Sequence, residues 1–434
     1  MSSRVTILRD APEGPSHEVE VNDIFFSVTD EKGVMTHVND VFIRYAQYGA
    51  DEMIGKPHNL IRNEEMPGGV FKLMWDTIEA GRPFAGYVRN KAKSGSAYDV
   101  LATVTPLPNG GYLSVRTRPM TDRFEAAGAV YQEANLVEHE AQANGVGRRE
   151  RAIAGAEKMA ELLPDYEAFI REVLPAEVQA LEDAGFTLPE GSGPIYDAAV
   201  ALYRDLDSFM SVQTEIKEAA DELRKASATL VEENAVTNNV KAEMENVVTE
   251  GASRTLLLAP LQVWATMRGI IDENAQSLAE VAEELYAKTA NARMAIALAR
   301  LHTAQTTQFA TEQNSGADTA VSMQLLVDAL EADVREMDDA VFLHSSFRRR
   351  VELKVNSISE LTKIPLEMIR RWSQNTNEAT MGPEVLPLVE QVNKAMEAAD
   401  ASISQLQHSA EKLAQAPSTD DVRAALDRLA ETVR

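Results

Sequence analysis

The sequence predicts an α+β domain, an antiparallel sheet with flanking helices, followed by an all-α helical bundle or coiled-coil region. Three observations carry that expectation. Two hairpin patterns fall inside residues 21–120, apolar residues recur at three-four spacing from Ile195 onward, and after Thr121 the pattern changes to that of long helices. A half-buried sheet must cover its apolar face, so helices on one side complete the first part. An apolar seam on a long helix calls for a second helix.

Taken in order, residues 1–20 read as a flexible amino terminus, without the apolar centre of a secretory signal. "DIFFSVTDEKGVMTHVND" then reads as two short strands around the turn Asp30-Glu31-Lys32-Gly33. Shorter helical segments follow. In "KPHNLIRNEEMPGGVFKLMW", Met66-Pro67-Gly68-Gly69 breaks regular structure, after which Val70, Phe71, Met74 and Trp75 recur at helical spacing. A second hairpin, "AYDVLATVTPLPNGGYLSVRTRP", turns at Asn109-Gly110-Gly111 and closes the sheet domain near residue 120.

Residues 121–193 read as connecting helices, ending in the linker-like "PEGSGP" at 189–194. Residues 194–415 form a long-helix signalling or dimerisation module. Its seam runs through Ile195, Ala199, Leu202, Leu206, Phe209, Ile216, Ala220, Leu223 and Leu230, with Asn234, Asn238 and Asn239 expected to interrupt it. Left unpaired, that seam would expose a long apolar stripe, which predicts a homodimer. Pro175, Pro189, Pro194, Pro365 and Pro383 are expected to punctuate the helices. Residues 416–434 form a separate amphipathic helix with Ser418 or Thr419 as its N-cap.

Composition narrows the function classes. With 434 residues and 44% hydrophobic content, the chain can bury more than one core. It has no cysteine, which removes disulfides, thiolate nucleophiles and cysteine-ligated metal centres. The net charge of -26 argues against a nucleic-acid backbone or an anionic membrane as partner. The most apolar run, "TLLLAPLQVWATMRGII", contains Pro260 and Arg268 and falls short of the roughly 20 residues that span a bilayer. A soluble cytoplasmic protein is expected.

Seven segments in order, "THVND", "DEMIGKPHN", "IRNEEMP", "FKLMW", "AGYVRN", "KSGSAYDV" and "YLSVRTR", are similar to the PAS sensor domain of bacterial aerotaxis receptors, over about Asp23 to Arg118. The resemblance implies a PAS domain at 21–120 holding a flavin, usually FAD, whose redox state biases a helical output module in signal transduction. Carried over position by position, it implies Asn39, His58, Arg62, Trp75 and Asn90 beside the cofactor. Departures are visible. Arg62-Asn63-Glu64-Glu65-Met66-Pro67 stands where the family reads Arg-His-Pro-Asp-Met-Pro, Ala46-Gln47-Tyr48 replaces Ser-Gly-Tyr, and Phe84 and Asp99 replace tryptophans. Haem is the rival cofactor, with His37 or His58 as axial ligand.

Each residue also has a packing role to weigh against binding. Trp75 on an apolar helix face suits a core, Arg62 has Glu64 and Glu65 to pair with, and His58 after Pro57 suits a turn. Asn90 is the hardest to explain by packing. The helical half resembles, more faintly, the hairpin tip of chemoreceptor signalling domains, through "TLLLAPLQVWATMRG" and "LAEVAEEL". That resemblance implies a chemotaxis-type kinase or coupling protein, or another helical protein, as partner. The alternative is a cofactor-free PAS and coiled-coil scaffold. No phosphate loop, nucleophile elbow or metal-ligand spacing marks an enzyme, and Arg348-Arg349-Arg350 fan around a helix, which suits salt bridges.

Overall fold

The computed structural model describes residues 17–247, 252–311, 317–375 and 384–434. Five strands form one antiparallel sheet: β1 (Phe25–Thr29), β2 (Met35–Val38), β3 (Phe84–Lys91), β4 (Ala97–Pro106) and β5 (Tyr112–Thr117), in the order β2-β1-β5-β4-β3. Both sequence-read hairpins are present. The first closes on Asp30, whose carboxylate accepts from the Lys32 and Val34 amides at 2.9 Å, with Gly33 at φ +75°. β3 was not legible as a strand. Gly86, Arg89 and Asn90 interrupt its apolar pattern, yet it pairs with β4 over eight residues.

Between β2 and β3 lie α1 (Asp40–Ala46), α2 (Ala50–Met53), a 3-10 turn (His58–Ile61) and α3 (Gly68–Glu79). Asn39 caps α1, its side chain accepting from the Phe42 amide at 3.1 Å and the Phe26 amide at 3.0 Å. Phe25, Met35, Phe42, Met53, Ile61, Tyr98 and Val100 fill the core between these elements and the sheet.

Helices follow to the carboxy terminus: α4 (Arg123–Ala143), α5 (Arg148–Leu162), α6 (Tyr166–Asp183), α7 (Pro194–Val247), α8 (Ala252–Thr311), α9 (Ala317–Asn375), α10 (Leu386–Lys412) and α11 (Asp420–Val433). None of the described helices is long and apolar enough to cross a membrane. The chain folds as two compact units assembled from discontinuous segments. The first holds residues 1–210, 293–337 and 419–434; the second holds 211–292 and 338–418.

In the first unit, the sheet's other face is covered by helices. Glu177 of α6 is buried and accepts from Tyr87 Oη at 2.6 Å and from the Thr121 amide at 3.1 Å, while Phe26 meets Phe309 of α8 edge to face. In the second unit, Leu223, Leu230, Trp264, Leu278, Val351, Ile358, Val392 and Leu406 share one core. Arg348 and Arg350 pair there with Glu352 and Glu284.

Several helical expectations are corrected. From Ala199 to Leu230 the seam is buried within this chain's own units, so it exposes no stripe that needs a second copy. Asn234 does not interrupt α7; its Nδ2 donates to Asp272 of α8 at 2.7 Å inside the core. Pro175 and Pro365 lie inside α6 and α9, where buried apolar faces offset the lost backbone hydrogen bond, and Pro194 opens α7. Pro383 lies outside the described residues. Thr419 occupies the N-cap position of α11 without a side-chain cap bond to the helix.

The contact that fixes α3 is unusually close. Gly69 packs on the backbone of α5, and a Cβ there would stand 2.5 Å from the Ala156 nitrogen. The Glu138 carboxylate of α4 accepts from the Gly68 and Gly69 amides, both at 2.8 Å, at an N-terminus that Pro67 leaves uncapped. Gly69→Ala is therefore expected to destabilise the first unit by about 1–3 kcal/mol through overpacking. Gly269→Ala, in open space on α8, is expected to be neutral or stabilising by about 0.5–1 kcal/mol. Denaturant unfolding of both variants measures the contrast.

Candidate functional site

Strand alternation gathers one set of side chains onto the inner face of the sheet. Ser27 and Thr29 of β1, Val88 and Asn90 of β3, Ala102 and Val104 of β4, and Tyr112, Ser114 and Arg116 of β5 all line a cavity of about 230 Å³. The opposite wall comes from α3. Phe71, Met74, Trp75 and Ile78 follow i, i+3, i+4, i+7 spacing and face the sheet. Trp75 crosses Tyr112 edge to face, with ring centres 5.6 Å apart, and its ring lies 3.2 Å from where a Cβ on Gly33 would be.

Of the residues that the resemblance placed beside a cofactor, His58, Arg62, Trp75 and Asn90 line this cavity, and Asn39 does not. Asn39 spends its amide on the cap of α1 and on the Ile24 carbonyl at 2.8 Å. Arg62 donates to the Met66 carbonyl at 2.9 Å and lies over the Phe71 ring at 4.2 Å. It takes no carboxylate from its own loop: Glu64 pairs with Lys91, and Glu65 lies 3.9 Å from Arg89. Burial and the neighbouring Arg148 charge lower its pKa.

The residue that sequence reasoning missed is Arg116. It is 4% exposed and has no carboxylate partner among the described residues; Nη2 donates to Ser27 Oγ at 3.0 Å and to His58 Nε2 at 2.6 Å. Its Nη1 has no partner, and neither does Asn90 Nδ2, on a residue 3% exposed. Loss of solvent pushes the Arg116 pKa down to about 10, which still leaves it cationic at neutral pH. The available signal was strand register. In "YLSVRTR", Arg116 shares a face with Tyr112 and Ser114, so a charge was aimed at the core.

His58 is the acceptor for that cation. Its ring is enclosed against Phe42, and burial, then the Arg116 charge, lower its pKa to about 3, so it is neutral at physiological pH. Outward from Arg62 and Trp75, the cavity meets a wider groove of about 1250 Å³ lined also by Lys72, Lys91, Lys93, Arg148, Arg149 and Glu138. Among the described residues no cluster of acidic, histidine or cysteine side chains has the arrangement of a metal site.

Residues 16–118 match the family model described as the PAS fold. The first domain is a PAS domain. Over 113 residues, 25% of this chain and 22% of the relative, the sequence is 36% identical to the aerotaxis receptor of Escherichia coli strain K12. It is 28% identical over 91 residues to the nitrogen fixation regulatory protein of Klebsiella pneumoniae, covering 21% of this chain and 18% of that one. The matches therefore span about a fifth of each curated relative. A solved PAS domain of a protein from Colwellia psychrerythraea aligns with 22% of this chain and 85% of its own, at 21% identity and a TM-score of 0.20.

The His58 environment makes stability depend on pH. Between its ordinary 6.5 and about 3, the unfolded chain binds a proton that the folded state refuses. Stability is present above that window and falls as pH drops through it, by about 1.4 kcal/mol per unit at most. His58→Gln is expected to flatten this loss in melting curves recorded from pH 7.5 to 5. An unchanged slope would remove His58 as the group responsible.

Proposed function

We propose that the PAS domain is the sensor of a redox, oxygen or energy signal, carried by a flavin, most simply FAD, whose ring occupies the cavity. One observation carries this reading: two buried donors, Asn90 Nδ2 and Arg116 Nη1, have no partner among the described residues, and they belong to residues that line a cavity otherwise walled by Phe71, Met74, Trp75, Ile78 and Val88. An unsatisfied buried donor costs about 1–3 kcal/mol, and more when charged, unless a ligand accepts from it. The set suits a flat ring with acceptors along one edge. At about 230 Å³ the cavity is smaller than the roughly 300–1,000 Å³ of whole-ligand pockets, so it takes a ring and leaves a tail at the mouth. The likeness to an aerotaxis receptor supports a role in signal sensing.

A bound isoalloxazine supplies reversible electron transfer with a change of charge and protonation at its ring edge. Asn90 and Arg116 hold that edge by hydrogen bonds, and neutral His58 accepts from Arg116 to keep its guanidinium in place. Trp75 and Phe71 exclude water, which strengthens these polar contacts. Arg116 and Asn90 would gain different hydrogen-bond energy from differently charged forms of the ring, which is the differential free energy a signal requires. Helix α3 carries the change outward through Gly69 and Glu138. Haem is disfavoured, because His58 Nε2 is engaged by Arg116.

In this reading, residues 21–120 sense, the helices of 121–193 connect, and 194–415 with 416–434 form the cytoplasmic output module, which engages a chemotaxis-type kinase or coupling protein. Homodimerisation rests on a different face from the α7 seam. Phe342, Leu353 and Ile364 of α9 are 80%, 66% and 66% exposed and recur every eleven residues, which aligns them on one side of the helix.

Native absorption spectra test the cofactor. Flavin bands are expected, and no FAD uptake by the purified protein would sink the reading. Asn90→Ala and Arg116→Met should each weaken FAD binding, by about 0.5–1.5 and 1.5–3 kcal/mol respectively, while the distant Arg349→Ala should not. For assembly, light scattering should report a dimer that Phe342→Asp/Leu353→Asp dissociates with helix content unchanged; a monomeric parent at micromolar concentration would refute it.

A further inference from the structure

We propose that Arg148, on the helix that follows the PAS domain and its first connecting helix, joins Arg62 in an anion subsite that takes the phosphate of the ring's tail. The connecting helices would thereby form part of the binding site. This inference rests on the flavin reading above and deepens it, from a ring pocket to a site for a phosphate-bearing flavin.

Arg148 opens α5, thirty residues beyond the PAS match, yet it lines both the cavity and the groove outside it, as does Arg62. Two guanidinium groups at one mouth repel each other, and at Arg62 that repulsion outweighs the attraction of the Glu138 carboxylate. Among the described residues, the carboxylates of that groove are engaged elsewhere. Glu64 pairs with Lys91, Asp76 with Lys72, and Glu138 accepts from the Gly68 and Gly69 amides. Among the described residues Arg148 has no ion-pair partner within 4 Å, and Arg62 is hydrogen-bonded to a backbone carbonyl and lies over a ring face, with the Glu138 charge near it.

A second observation points independently to a ligand in the same space. Asn90 and Arg116, each more than nine-tenths buried, line the same cavity as Arg62 and Arg148, and each has a donor with no partner among the described residues. A ring held by those donors sends its tail through the mouth between the two arginines. Paired guanidinium groups suit a phosphate, which accepts several charge-assisted hydrogen bonds at once. Arg148 is held at the mouth by the backbone packing of α5 on α3 at Gly69, Gly155 and Ala156, so the subsite is built by the fold and not by a mobile loop.

Binding of riboflavin, FMN and FAD to the full chain, followed by quenching of flavin fluorescence, separates ring from phosphate. Arg148→Ala is expected to weaken FMN and FAD about ten-fold or more and to leave riboflavin unchanged, with Arg148→Lys partly restoring both. Arg148 is exposed, so the variants are expected to fold; circular dichroism melts verify this. Hydrogen exchange at the start of α5 should slow with FMN and not with riboflavin. Equal losses for all three ligands, or no loss for FMN and FAD, would overturn the subsite while leaving the ring pocket standing. A parent protein that binds none of the three would overturn the flavin reading and the subsite together.

Discussion

Arg116 is a cation buried without a counter-ion, and the arrangement of the sensor domain follows from how it is held. Moving a charge out of water costs several kcal/mol, which a carboxylate would ordinarily offset. Here the offset comes from Ser27 Oγ, from the neutral His58 nitrogen and from the Phe42 face, 4.9 Å away. His58 can serve only because it stays unprotonated, and its 3-10 turn stays in place because its amide donates to the Gly33 carbonyl at 2.9 Å. One guanidinium nitrogen is still left over, inside a cavity.

The cavity's outer wall is the least independent part of the domain. α3 is amphipathic, but its N-terminus lacks a side-chain cap of its own and borrows the Glu138 carboxylate from α4. Its second residue, Gly69, lets α5 approach until backbones touch. A side chain at that position would separate the helices by a few tenths of an ångström or more. The helix that carries Phe71 and Trp75 is therefore joined to the connecting helices by direct backbone packing. Close-packed contacts of this kind switch between arrangements instead of deforming gradually.

The departures from the aerotaxis pattern have local reasons. Asp99 stands where a tryptophan is usual, and it forms a two-point pair with Arg89 across the β3–β4 ladder at 2.8 and 2.9 Å. Asn63, in place of a histidine, turns inward and accepts from the Glu65 amide at 3.0 Å, shaping the loop that carries Arg62. These substitutions alter the periphery of the site. Trp75, Asn90 and the α3 face remain on the cavity wall.

The sequence by itself determined what depends on neighbours in the chain. Hairpin turns at Asp30–Gly33 and Asn109–Gly111, the helical phase of Phe71, Met74 and Trp75, and the long helices after Thr121 all follow from local periodicity and turn chemistry. Tertiary structure decided what depends on which surfaces meet. It hid the α7 seam within one chain, assigned Asn39 to a cap and made β3 a strand through its pairing with β4. It also turned Arg116 into a buried donor and carried Arg148 from a later helix to the mouth of the cavity. Spacing showed at most that Arg116 shares a face with Tyr112 and Ser114; the partners of these side chains are set by elements distant in sequence, while periodicity reports only which residues share a face.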